Sequence, residues 1–366
     1  MDSLPPVSRR ALGRATLARQ LLLRRSPLGA EEAVRHLVGL QAQNTKPPYY
    51  ALAARLDGFR PEELSALMES RAVVRTVSLR STVHTHTARD AVGLRRLVQA
   101  GAVERELNIF RKGLVGVDRD RLAALATAYV EERPRTPKEL RDRLLREWPD
   151  ADPLALTVAA RCLLLLVQVT PRGLWRRSGR VALTTSRVWL GEPDAEAAGI
   201  EETVLRYLAA FGPASVQDAQ TWCRLTRLRP VFERLRPRLL SFRDESGTEL
   251  FDLPDAPRPD EDVPAPPRFL PEFDNLLLSH ADRTRIVPAA YKGRTWTVNQ
   301  AHRVFLLDGT LAGLWHLEET KGRTLLTVEP FAPLTRADRA ALTDEAERTL
   351  RLTAPEGDAY DLVFRE

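Results

Sequence analysis

Thr136-Pro137-Lys138-Glu139, at the head of a segment that reads as helix to Trp148, carries a complete helix-start signal. Thr136 is the N-cap, Pro137 takes the first helical position, where no amide hydrogen is needed, and Glu139 reaches back from the third. Outward from this point, a helix over 118–131 precedes and another over 153–165 follows. Residues 167–170, 174–177 and 180–184 then read as strands, with Ser178-Gly179 as a tight turn. Three helices and a basic hairpin are the order of a winged helix.

The same order returns after a loop around residues 191–198. A helix over 201–211 leads to Gly212-Pro213, Ser215-x-x-Asp218 caps a helix holding Trp222 and Cys223, and Pro230 opens a third helix. Residues 239–243 and 249–253 can pair as a hairpin. Two copies of one pattern with matching cap chemistry indicate tandem units.

The N-terminal part is helical over 9–24, 30–40, 50–56 and from Pro61 onward. Residues 73–86 change to a period of two, so Arg80, Thr82 and His84 are expected on one polar face of a strand. Thr87-x-x-Asp90 then starts another helix. Between the second helix and Pro47-Pro48 lies Val38-Gly39-Leu40-Gln41-Ala42-Gln43-Asn44-Thr45. Gln41 and Gln43 face the same way only if the helix stops near Leu40, and the prolines make such a break plausible. On spacing alone, a pair acting together and two ordinary loop residues both stand.

Six prolines among acidic residues mark 254–267 as a stiff exposed connector. The pattern beyond it is β, with a hairpin over 302–317 turning at Asp308-Gly309, then a helix capped by Thr335 and a strand over 360–364. The expected class is α+β, mainly α. Three units, 1–116, 117–195 and 196–366, are expected, the last with a β appendage.

Composition narrows the function. With 43% hydrophobic and 28% charged residues, no long apolar run and no secretory leader, the chain reads as a cytoplasmic protein that does not enter a membrane. Cys162 and Cys223 read as core thiols. The six histidines include no ligand pair, and neither a Gly-rich phosphate loop nor a nucleophile elbow is present. No metal and no cofactor are expected. The net charge of +6 points to a polyanionic partner, and arginine supplies 50 of the 55 basic residues. Its planar fork suits phosphate and guanine edges, although a GC-rich genome would also favour it.

Four further landmarks carry a resemblance: Gly39-Leu40-Gln41-Ala42-Gln43; Arg80-Ser81-Thr82-Val83-His84; Phe211-Gly212-Pro213-Ala214 with Asp218 and Trp222; and Leu270-Pro271-Glu272-Phe273-Asp274-Asn275-Leu276 with Ser279-His280-Ala281-Asp282-Arg283. In this order, over nearly the whole chain, they resemble the AlkZ-related winged-helix DNA glycosylases. That resemblance implies three winged helices curved around a channel for duplex DNA, with a β-barrel-like element late in the chain. It also implies excision of purines alkylated at N7, including bulky adducts or interstrand crosslinks, in DNA repair or in self-resistance to a genotoxic antibiotic.

The family's Gln-apolar-Gln pattern falls on Gln41, Ala42 and Gln43, making Gln41 and Gln43 the catalytic candidates of a monofunctional glycosylase acting as a monomer. Asn44 and Asp274 are candidates to orient them. Lys46, Arg80, Thr82, His84, Arg172, Arg176, Arg177 and Arg180 are candidates to contact DNA, each with a solvated or structural alternative. Approach from one groove, without a deep base-sized pocket, is expected. The rival readings are a non-catalytic winged-helix regulator and a protein that sequesters a drug.

Overall fold

The computed structural model describes residues 4–191, 198–320, 322–354 and 359–365. At its centre, Thr136 accepts from the Glu139 amide while the Glu139 carboxylate accepts from the Thr136 amide, which fixes the start of the helix Pro137–Leu145. The same reciprocal bonds open the helices Val216–Cys223, from Ser215 and Asp218, and Arg336–Thr353, from Thr335 and Asp338. Each closes two amide groups that a bare helix end would leave unpaired.

The helices Arg119–Glu132, Pro137–Leu145 and Pro153–Leu163 pack on one another, followed by Ile200–Phe211, Val216–Cys223 and Arg229–Leu235. A single buried cluster runs from Val38 and Leu79 through Leu122, Leu140 and Leu156 to Trp222, Phe232 and Phe251. The successive helical groups therefore share one core.

Beside it lies a five-stranded antiparallel sheet of β1 (Leu40–Gln41), β2 (Val73–Val77), β3 (Val83–Thr87), β4 (Leu166–Gln168) and β5 (Leu183–Thr185), in the order β1-β3-β2-β4-β5. The pairing of β2 with β4 joins residues on either side of the expected 116/117 boundary in one sheet.

Two expected strands differ. Residues 73–86 form a hairpin, because Arg80 (φ 55°) and Ser81 (φ 58°) take left-handed backbone and turn the chain between β2 and β3. Arg80 and Thr82 thus lie at the turn and His84 beyond it on β3, rather than all three along one strand face. Residues 174–177 form a turn, not a strand: the Arg177 amide donates to the Leu174 carbonyl, and the Leu174 side chain is buried in the apolar cluster around Leu52 and Leu64. Anchoring Leu174 there removes it from the β4–β5 ladder.

A hairpin of β6 (Leu240–Arg243) and β7 (Glu249–Asp252) follows the third helical group. The C-terminal part holds β8 (Arg268–Leu270), a small ribbon of β9 (Trp296–Thr297) and β10 (Gln300–Ala301), then β11 (Val304–Leu307), β12 (Thr310–Thr320), β13 (Arg323–Pro330) and β14 (Ala359–Phe364). Asp308 (φ 41°) and Gly309 (φ 78°) make the tight β11–β12 turn that their sequence predicts. The expected barrel-like element is instead an open sheet, β14-β13-β12-β11-β8, whose outer strands do not pair with each other. The helix Arg336–Thr353 accounts for this: its Leu342, Ala346 and Leu350 cover the apolar side around Trp315, Leu326 and Val328. A sheet with one face covered in this way buries its apolar residues without closing.

Candidate functional site

The Gln-Ala-Gln segment is set up by an early helix stop. The second helix, Ala30–His36, ends ahead of Val38 (φ 55°) and Gly39 (φ 92°), and the Gly39 amide closes the end on the Val34 carbonyl. Only glycine suits position 39 on two grounds, since a Cβ there would also lie 2.2 Å from the His86 ring. Asn275 Nδ2 donates to the Gly39 carbonyl at 2.6 Å, latching the turn to the C-terminal part of the chain. The backbone then extends, with Gln41 opposite His84 at the edge of the sheet.

Gln41 is 7% exposed, and its Oε1 accepts from Arg80 Nη2 at 2.8 Å. The same guanidinium donates to His84 Nε2 at 3.0 Å and to the Trp222 carbonyl at 2.8 Å. His84 Nδ1 donates to the Thr82 carbonyl at 2.9 Å, so the neutral ring presents its Nε2 lone pair to Arg80. Burial, reinforced by Arg80, holds the His84 pKa well below the usual histidine range. Burial also lowers Arg80 to about 10, with Arg224 adding repulsion, which leaves it cationic at neutral pH.

Gln43 is exposed, and its Oε1 accepts from the Val83 amide at 3.1 Å. Both glutamines are therefore tied to the turn between β2 and β3. An amide oxygen has two lone pairs, so each carbonyl keeps one acceptor position beyond its internal bond.

The other candidates fall into several settings. Asn44 Nδ2 donates to Glu272 Oε1 at 3.0 Å, and Glu272 Oε2 accepts from Arg303 Nε at 2.9 Å. Lys46 pairs with Glu319. Thr82 Oγ1 donates to the Leu79 carbonyl. Arg172 donates to the Gly179 carbonyl and Arg176 to the Thr353 carbonyl, whereas Arg177 and Arg180 are exposed. Arg172 to Arg180 lie on the loop between β4 and β5, where burial lowers the Arg75 pKa and Arg172 is close enough to lower it further by repulsion, and Lys46, Thr82, Arg80 and His84 adjoin the glutamine loop. Asp274 touches neither glutamine: its oxygens take the Arg55 guanidinium at 2.7 and 2.8 Å, and Oδ1 caps the Leu276 amide at 3.0 Å.

Reading the sequence misses three supports. Arg75 Nη2 donates to the Ala42 carbonyl at 2.8 Å, while Glu272 holds Asn44 and Asn275 holds Gly39. Glu272 and Asn275 lie within a landmark segment that the sequence does mark. Arg75 lies in the strand-like run with nothing to distinguish it from the other arginines. The landmarks, far apart in the chain, meet here: Arg80 joins Gln41 to Trp222, and the 270–276 segment grips the loop from the opposite side.

Among the described residues, no cluster of His, Cys, Asp or Glu is placed to hold a metal, and no helix is long and apolar enough to cross a membrane. The loop and its supports are neutral amides, arginines, one neutral imidazole and one ion-paired carboxylate. They are equipped to orient a small polar molecule and to face an anionic polymer, with no free carboxylate acting as a strong base.

No curated protein matches the chain at a significant level. A solved structure, Streptomyces sahachiroi DNA glycosylase AlkZ, superposes with a TM-score of 0.77 at 20% identity, covering 98% of this chain and 100% of that one. At that identity the likeness shows the fold. The profile described as DNA glycosylase AlkZ-like matches residues 34–352, a span that includes the glutamine loop and every support named above. The chain belongs to the AlkZ-like DNA glycosylase family, enzymes of DNA repair.

Proposed function

We propose that this protein is a monofunctional glycosylase that hydrolyses the N-glycosidic bond of purines alkylated at N7, with Gln41 and Gln43 positioning the water. A purine alkylated at N7 carries a positive charge, so its bond to the sugar is weakened before any protein group acts. Water oxygen bonds to C1′ as the C1′–N9 bond breaks, and the bonding pair neutralises the purine ring. One water proton leaves to solvent. The products are the neutral alkylated base and an abasic sugar.

The observation that carries this reading is the fixing of both amides on one turn, each with a carbonyl lone pair to spare. Holding a weak nucleophile at the anomeric carbon, and presenting amide dipoles to the oxocarbenium that develops, suffices when the lesion activates the leaving group. The reading needs one copy of the chain, since Gln41, Gln43 and all their supports come from it. Winged-helix packing of the three helical groups, with Lys46, Arg177 and Arg180 on DNA phosphates, would supply the duplex contacts. The edge position of β1 favours bulky adducts or crosslinked guanines, which cannot be rotated into a closed pocket.

The test is a panel of duplexes with one guanine each: unmodified, N7-methylated, N7-adducted with a bulky group, and N7-crosslinked. Alkali-labile sites should form at the modified guanines and not at the unmodified one. A protein that binds every duplex and cleaves none is a non-catalytic regulator. One that binds only free alkylating drug is a sequestering protein.

A further inference from the structure

Against the helix Pro47–Arg55, which follows the glutamine loop, is a cavity of about 710 Å³ with a different chemistry. Trp175 and Tyr50 line it, together with residues of the helix Arg336–Thr353, and neither Gln41, Gln43, Asn44 nor Arg80 does. Five arginines and two carboxylates face it. One carboxylate, Glu345, is already taken by Arg25 at 2.6 Å, and Arg348 stands 3.9 Å from its other oxygen. Among the described residues Arg176 donates to the Thr353 carbonyl alone. Arg60 and Arg351 pair with Glu63 and Glu347 at 3.5 and 2.9 Å, which leaves Arg176 and Arg348 as the cavity arginines without a close carboxylate among the described residues.

The interior is aromatic. Trp175 is half-buried and meets Tyr50 edge to face at 6.1 Å between ring centres. Tyr50 is 2% exposed, yet its hydroxyl is enclosed without a hydrogen-bond partner among the described residues. A flat ring joined to an anion would meet both features that the cavity exposes, the Trp175 surface and the cationic rim.

We propose that this cavity binds one nucleotide, its base against Trp175 and its phosphate on Arg176 and Arg348, as a site separate from the glutamine loop. The nucleotide has two possible sources, a free mononucleotide or an unpaired nucleotide of the bound DNA. The assay reads binding alone, so it is independent of whether base release occurs.

The full chain is titrated calorimetrically with adenosine 5′-monophosphate and with inorganic phosphate. It is titrated separately with a blunt duplex and with the same duplex bearing a five-nucleotide single-stranded arm. Arg348→Glu is the main variant, because the Arg348 side chain is 60% exposed and its change does not open the core. Trp175→Phe and Trp175→Ala form a second pair, each checked for an unchanged melting transition.

Saturable binding of the mononucleotide, weakened about tenfold or more by Arg348→Glu and by Trp175→Ala but less by Trp175→Phe, supports a free nucleotide. Tighter binding of the armed duplex than the blunt one, with the gain lost in the same variants, supports a DNA nucleotide. Equal binding of inorganic phosphate and mononucleotide overturns the proposal, as does the absence of both effects or their persistence in Arg348→Glu.

Discussion

Arg80→Ala is the perturbation that probes the glutamine loop most sharply. The guanidinium serves three acceptors, Gln41 Oε1, His84 Nε2 and the Trp222 carbonyl. His84 and Trp222 are buried, at 1% and 2% exposure. Leaving two buried acceptors without a donor costs roughly 1–3 kcal/mol each, so a loss of stability of about 2–6 kcal/mol is expected. Gln41 would also lose the only hydrogen bond its side chain makes among the described residues. A displacement of about 1 Å in a positioning group lowers a rate about 100-fold, which corresponds to about 2.7 kcal/mol of barrier.

The assay is single-turnover release of N7-methylguanine from a defined duplex at saturating protein, beside DNA affinity and a urea melt. Arg80→Ala should lower the release rate about 100-fold with DNA affinity within a few-fold. Arg80→Lys, which keeps the charge but not the fork, should fall between. Because Arg80 acts through Gln41, adding Arg80→Ala to Gln41→Ala should lower the rate no further than about threefold. Fully additive losses, or a single Arg80→Ala variant as fast as wild type, would refute this role.

Gly39→Ala should destabilise the protein by about 3 kcal/mol or more, read from a urea midpoint, since it adds left-handed strain to a clash with His86. A melt unchanged within error would remove Gly39 from the loop's support. Asp274→Asn should cost about 3–5 kcal/mol by stranding the buried Arg55 charge, while release per folded molecule stays near wild type. A selective fall in release rate would instead make Asp274 part of the chemistry. His86, lowered to about 4 by burial, binds a proton more readily unfolded than folded. Its stabilising contribution is therefore full above pH 6.5 and lost as pH falls toward 4, a change of about 3 kcal/mol, with His84 acting in the same sense. Urea midpoints that stay level between pH 6.5 and 4 would contradict this assignment.

Much of the helical framework is legible in the sequence because its signals are local. Thr136 with Glu139, Ser215 with Asp218 and Thr335 with Asp338 each fix a helix start within four residues, and Asp308-Gly309 fixes a turn within two. The 73–86 run misleads because alternation continues across a hairpin turn made by Arg80 and Ser81, residue types that rarely take left-handed backbone. Leu174 misleads because its burial against distant residues overrides its strand-like setting.

The loop's position is legible from Gln41, Gln43 and the two prolines, but its supports are not. The bonds from Arg75, Arg80 and Asn275 span 33, 39 and 236 residues in sequence, and pairing at such distances leaves no periodic trace. The open C-terminal sheet belongs with these. Closure depends on whether β8 and β14 meet, and a single covering helix decides against it.

The most direct measurement is the single-turnover rate of base release from a duplex with one N7-alkylated guanine, for wild type, Gln41→Ala, Gln43→Ala and the double variant. Each is paired with its dissociation constant for that duplex. Wild type should release the base, each single variant should be slower by about 100-fold or more, and the double variant should be inert with affinity within a few-fold of wild type. A double variant that releases the base at the wild-type rate would contradict the placing of the chemistry on these two amides.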